Sequence, residues 1–101
     1  MKIIKGKIEG VTFLKEDTIL HGMIVGSTTI SENILLQLHG MVIGNLILKD
    51  NSTVYLYGMV IGDVINKGGH LEVFGIINVK VIRESGNTVI DPKAIVRDGI
   101  F

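Results

Sequence analysis

The chain has 101 residues, with 10 Lys+Arg against 10 Asp+Glu and a formal charge of zero, which leaves room for one compact domain and no second. With 47% hydrophobic and 20% charged residues it can bury a core, so disorder is excluded, and 5% aromatic with no Trp makes that core aliphatic. The neutral balance lacks the electrostatic footprint of a protein that grips phosphate backbones, so nucleic acid is not an expected partner, and the absence of Cys removes disulfides and thiol chemistry.

In chain order, MKIIKGKIEG opens the sequence with no long apolar segment, and no later run approaches membrane-spanning length. A cytoplasmic setting without integral membrane contact is expected. Lys2, Lys5 and Lys7 interleave with Ile3, Ile4 and Ile8, the pattern of a strand edge guarded by lysine. A repeat then begins: KGKIEGVTFL (5–14), HGMIVGSTTI (21–30), HGMVIGNLIL (39–48), YGMVIGDVIN (57–66) and FGIINVKVIR (74–83). Its anchor glycines, Gly6, Gly22, Gly40, Gly58 and Gly75, are 16, 18, 18 and 17 residues apart and define five turns. Four residues after the anchor stand Gly10, Gly26, Gly44 and Gly62, with Val79 breaking the series. Eleven after it stand Asp17, Asn33, Asn51, Gly69 and Gly86, residue types that tolerate left-handed backbone angles, so a corner is predicted there in every turn. The distance from anchor to this corner is constant, which confines the variation in turn length to one edge.

Between these punctuations apolar residues recur two apart. Ile8, Ile24, Val42, Val60 and Ile77 follow the anchors; Leu20, Leu38, Leu56 and Val73 precede them, with Thr18, Leu36, Val54 and Leu71 two positions earlier. Alternation over runs too short for helices predicts about three strands per turn. The fold class is therefore all-β: a single-domain parallel β-solenoid over residues 1–101, five turns of 16–18 residues over about 5–90, and a C-terminal cap at 91–101. At about 4.8 Å per turn the rod would be about 24 Å long. Ile24, Ile30, Leu36, Val42, Leu48, Val54 and Val60 fall at six-residue steps, the rhythm of left-handed hexapeptide helices. Turns of 16 and 17 residues break that rhythm at both ends, and a right-handed solenoid is expected.

Stacked outward columns are where function is sought, because stacking repeats one group at one spacing. Alternation carried through the anchor glycine puts Met23, Met41 and Met59, with Val25, Ile43 and Ile61, on a flat apolar outer face suited to contact; a parity inversion at the glycine would make the Met column core. His21, His39, Tyr57 and Phe74 form a second column, read as a stacked ring ladder because two imidazoles do not complete a metal site. Glu16, Glu32 and Asp50 form a third, read as solvated turn residues because Gly68 and Ser85 end it. A threonine ladder starts at Thr12 and Thr28 but gives way to Leu46, Val64 and Val81. No phosphate-binding glycine loop leads from a strand into a helix. No catalytic, cofactor-binding or metal site is expected. At the end of the chain NTVIDPKAIVRDGIF carries the only proline, Pro92, and finishes on Ile100 and Phe101, which are expected to fold back as a lid or to dock onto another molecule.

The repeated G-x-V-x-G-x-[LV] units at Gly40 to Leu46 and Gly58 to Val64, with Gly22 to Thr28 close to them, and the aliphatic columns resemble the bactofilins, over roughly residues 5 to 90. The resemblance implies a right-handed parallel β-helix that self-assembles end to end into non-polar filaments without nucleotide and serves as a scaffold. The chain departs from that family in lacking polar tails, in Val79, and in its outward Met residues. The expected function is a non-enzymatic, self-assembling scaffold whose contacts are Ile3, Ile4, Ile100 and Phe101 at the ends or Met23, Met41, Met59, Val25, Ile43 and Ile61 on the face. The alternatives are a protein-binding adaptor or inhibitor using that face, and a minimal hexapeptide-type transferase with a ligand near His39 or His70.

Overall fold

A computed structural model describes all residues, Met1–Phe101, and consists of strands and turns with no helix. Gly, Asn and Asp interrupt the chain too often for a helix to nucleate, and the β-branched residues between them favour pleated backbone. The first turn holds β1 (Lys2–Ile4), β2 (Lys7–Glu9) and β3 (Thr12–Leu14); the second holds β4 (Thr18–Leu20), β5 (Met23–Val25) and β6 (Thr28–Ile30). Next come β7 (Leu35–Leu38), β8 (Met41–Ile43) and β9 (Leu46–Leu48), then β10 (Thr53–Leu56) and β11 (Met59–Ile61). Two longer strands follow, β12 (Val64–Val73) and β14 (Val81–Ile90), separated by β13 (Ile76–Ile77); β15 (Ile95–Val96) is last.

All strand pairings are parallel and join segments one turn apart. The six-stranded sheet β15-β13-β11-β8-β5-β2 is one face of the rod. The nine-stranded sheet supplies the other two: β1, β4, β7 and β10 on one, β3, β6 and β9 on the other, with β12 and β14 running across the corner between them. The result is a three-sided β-solenoid of about five turns, with extents of 30 × 23 × 20 Å.

The aliphatic columns that follow and precede the anchor glycines point inward. Ile24, Val42, Val60 and Ile77 from one face, Leu20, Leu38, Leu56 and Val73 from the second, and Ile30, Leu48, Leu46 and Val64 from the third are fully buried in one cluster of 18 core residues. Each such side chain contributes about 2 kcal/mol relative to its exposed state, and none could be buried by its own turn alone. The run at six-residue steps is buried throughout and extends at both ends to the fully buried polar residues Thr18 and Asn66.

Two glycine columns make the narrow corners. At the anchors, a Cβ on Gly22, Gly40, Gly58 or Gly75 would run into the carbonyl oxygen of the glycine one turn earlier. The second column needs glycine for another reason: Gly10, Gly26, Gly44 and Gly62 have φ of 109°, 146°, 139° and 154°. Val79, which stands where the next would be, has no positive φ, and the last turns round this corner by a different path.

Two sequence expectations are corrected. Of the five predicted left-handed corner residues, Asn33, Asn51 and Gly86 have φ of 64°, 58° and 79°, but Asp17 and Gly69 do not share that conformation. Asp17 works through its side chain, which accepts the Leu35 N–H at 2.9 Å; at the fourth corner Gly68 takes the positive φ of 154°, and Gly69 is a close-approach glycine whose Cβ would lie 2.5 Å from Ser52 Oγ. Ile4, expected as an end contact, is only 8% exposed and belongs to the core, because it continues the column of Leu20 and Leu38. Residues 91–101, expected as a short C-terminal cap, cover the last turn as a further partial coil. β15 pairs in parallel with β13 and Ile100 bridges Val81 in parallel, so the winding simply continues. Pro92 is accommodated in a corner lengthened by the turn at Asp91–Ala94, where Asp91 Oδ2 accepts the Lys93 N–H at 2.8 Å and Asp91 O accepts the Ala94 N–H at 2.9 Å.

Gly40→Ala is expected to destabilise the fold by about 3 kcal/mol, because the added methyl meets backbone that cannot yield. Gly6→Ala, with nothing within 4 Å of its Cβ, should stay within about 0.5 kcal/mol of the parent. Urea midpoints of the two variants, compared at equal m-value, check the contrast.

Candidate functional site

On the six-stranded face each three-residue strand buries its centre and turns its flanks outward. Met23, Met41 and Met59 are in register, as are Val25, Ile43 and Ile61; all are half-buried except Ile61, which is exposed. The parity is therefore maintained through the anchor glycine, and the apolar strip lies on the outside. It is bounded at the first turn by Lys7 and Glu9, which form an ion pair at 2.9 Å, and it runs on to Ile76 and Asn78.

Beside this strip, across the corner made by the anchor glycines, stand the stacked rings. His21 and His39 have centroids 5.1 Å apart, His39 and Tyr57 4.8 Å, and Tyr57 and Phe74 5.0 Å, with interplanar angles of 22°, 8° and 9°. The spacing is that of the strands beneath them. Because the glycines between rings and methionines have no side chains, a shallow groove of about 550 Å³ lies along the corner, lined by Lys5, Lys7, His21, Met23 and Met41. Ring, glycine and thioether thus run in parallel files along the rod.

His70 lies in a different column, level with Thr53 and Asn87, and its Nε2 is 3.1 Å from Glu72 Oε2. The acidic residues Glu16, Glu32 and Asp50 are exposed, and no group of three or more His, Asp and Glu is placed to hold a metal ion. At the neighbouring corner a buried amide, unmarked by the repeat, sits where β12 shifts register. Asn66 Nδ2 donates to Gly69 O at 3.2 Å, Asn87 O at 2.9 Å and Thr88 Oγ1 at 3.2 Å, while its Oδ1 accepts the N–H groups of Gly68 at 3.2 Å and Gly69 at 2.8 Å. It closes the corner by supplying partners for backbone that the register shift leaves unpaired.

The ends of the rod expose the remaining apolar side chains. The first turn presents Ile3, Val11 and Phe13, and the last presents Val89, Ile95, Ile100 and Phe101. Of the four expected end contacts, Ile3, Ile100 and Phe101 are exposed, and Ile4 is not. Phe13 and Val89 carry no glycine mark in the sequence; the signal for them is the register of the repeat extended to the first and last turns. β1, β2 and β3 each pair on one edge only, as do β15 and Ile100.

No family model, curated protein or solved structure matches this chain. No helix is long and apolar enough to cross a membrane.

Asn66→Ala would strand several buried backbone groups at once and is expected to cost about 3 kcal/mol. Asn51→Gly, at a corner whose φ of 58° glycine adopts freely, should change stability by less than about 0.5 kcal/mol. Thermal unfolding of both variants provides the comparison.

Proposed function

We propose that this protein is a non-enzymatic, self-assembling scaffold of bactofilin type, built to associate with copies of itself in the bacterial cytoplasm. The observation that carries this reading is the state of the two ends. Both present open strand edges, and both cluster exposed apolar side chains around those edges, a combination that recruits further strands unless it is blunted. The likeness of the glycine-marked turns to the bactofilins supports the same reading. So does the continuation of the winding through residues 91–101, which leaves the last turn's inward residues Ile90, Ala94 and Val96 only partly buried against the core.

A second reading, in which the rod is a compact adaptor or inhibitor that binds a different protein, is favoured by the outward strip of Met23, Met41, Met59, Val25, Ile43 and Ile61. Thioether side chains conform to imperfectly matched surfaces, and the strip is flat because its strands are in register.

Sedimentation velocity over about a hundredfold concentration range separates the two. Steady growth into larger species is the outcome expected of the scaffold, and a single small species that never grows would remove that reading. Met41→Lys with Ile43→Lys should leave the growth intact and split only an oligomer held by the face. If the double variant stops growth while remaining folded, the face and not the ends is the assembly surface.

A further inference from the structure

We propose that the groove along the anchor-glycine corner is a binding site for a flat aromatic anion of the aryl carboxylate or sulfonate class, whether or not copies of the chain associate. Its volume of about 550 Å³ is that of a small-molecule site. Three parallel files give it its shape. The floor is bare backbone at Gly6, Gly22 and Gly40 in three successive turns, which at about 4.8 Å per turn makes a trough about 10 Å long. One wall is the ring file, beginning at His21. Because His21 and His39 stack along the rod, with centroids 5.1 Å apart and planes 22° apart, the rings turn their edges toward the groove and not their faces. A planar π system lying along the floor therefore meets ring edges in the edge-to-face arrangement that aromatic pairs favour, from which an alkyl chain gains nothing. The opposite wall is Met23 and Met41, in register and half-buried, whose thioethers adapt to an aromatic neighbour.

The charge of the ligand follows from what closes the groove at the first turn. Lys5 heads the ring file and Lys7 heads the Met file, so a lysine stands on each side of the same end. No carboxylate lines the groove. Glu9, two residues further along β2, engages Lys7 at 2.9 Å, and Lys5 makes no ion pair. A cation is therefore repelled from this end, and an anion is drawn to it with its rings pointing along the floor toward Met41. Beyond Met41 the two files continue as Tyr57 and Met59 without a charge, so the ligand carries its head group at one end only. Both lysines are exposed, so water and salt screen the attraction, which orients the ligand more than it holds it.

Fluorescence titration of the full-length chain tests the site with two dyes: anilinonaphthalene sulfonate, and phenylnaphthylamine, which has the same rings without the sulfonate. The parent should bind one sulfonate dye per chain, about fivefold more tightly than the neutral dye. K5Q with K7Q should erase that difference while leaving the neutral dye alone, and M41Q should weaken both dyes about fivefold. I43Q, on the same strip but outside the groove, should change neither. All four residues point outward, so the variants should keep the parent's urea midpoint. If I43Q weakens binding as much as M41Q, the dye spreads over the whole strip and the groove is not the site. Titrations untouched by both K5Q with K7Q and M41Q would place the dye at the ends of the rod and equally overturn the proposal. In competition with the bound dye, naphthoate should be at least about fivefold more effective than decanoate. Equal displacement by the two acids would overturn the aromatic class.

Discussion

The approach of one turn to the next at the anchor glycines is the constraint from which the rest of the structure follows. Gly22, Gly40, Gly58 and Gly75 each bring their backbone against the carbonyl of the preceding glycine, leaving no space for even one carbon between turns. Only that closeness lets three-residue strands on all three faces keep hydrogen-bonding distance at once. Once the corner is fixed, side-chain parity on either side of it is fixed too, so Ile24 and Val42 go inward while Met23 and Met41 go outward. The ring ladder follows from the same geometry, since His21, His39, Tyr57 and Phe74 immediately precede these glycines and inherit their spacing.

What the sequence discloses is periodic, because a solenoid converts sequence period directly into spatial column. The strands, their parallel stacking, the inward aliphatic columns and the ring stack all follow from positions that repeat. The features that escaped are the aperiodic ones. Asp17 and Gly69 occupy the same repeat position as Asn33 and Asn51 and reach a corner by other means, one with its carboxylate and the other through the conformation of Gly68. Asn66, which no repeat position marks, is a buried amide that satisfies the backbone of two turns. Residues 91–101 lack the anchor glycine and gain a proline, and the sequence gives no sign that this cap keeps the register of the turns beneath it, which the pairing of β15 with β13 and of Ile100 with Val81 shows.

The candidate surfaces were less legible than the fold. Register alone identifies the Met strip, because those residues are regular. The ends depend on what is missing above the first turn and below the last, and Ile4 shows how a residue near an end can still be core when its column is continuous. The fully buried hydroxyls are settled locally: Thr18 Oγ1 donates to Glu16 O at 2.8 Å, Thr28 Oγ1 to Gly26 O at 3.3 Å and Ser52 Oγ to Lys49 O at 2.7 Å, so none of the three needs a partner from another turn.

The uninterrupted run at six-residue steps from Thr18 to Asn66 has a consequence for how the chain folds. Every contact in it spans the same short loop, so closing each successive turn carries nearly the same entropic cost and no turn waits on a distant partner. Any two adjacent turns within this segment can act as a seed, and growth can proceed outward from it in both directions. The 16- and 17-residue turns flanking the run are where that uniform propagation changes step.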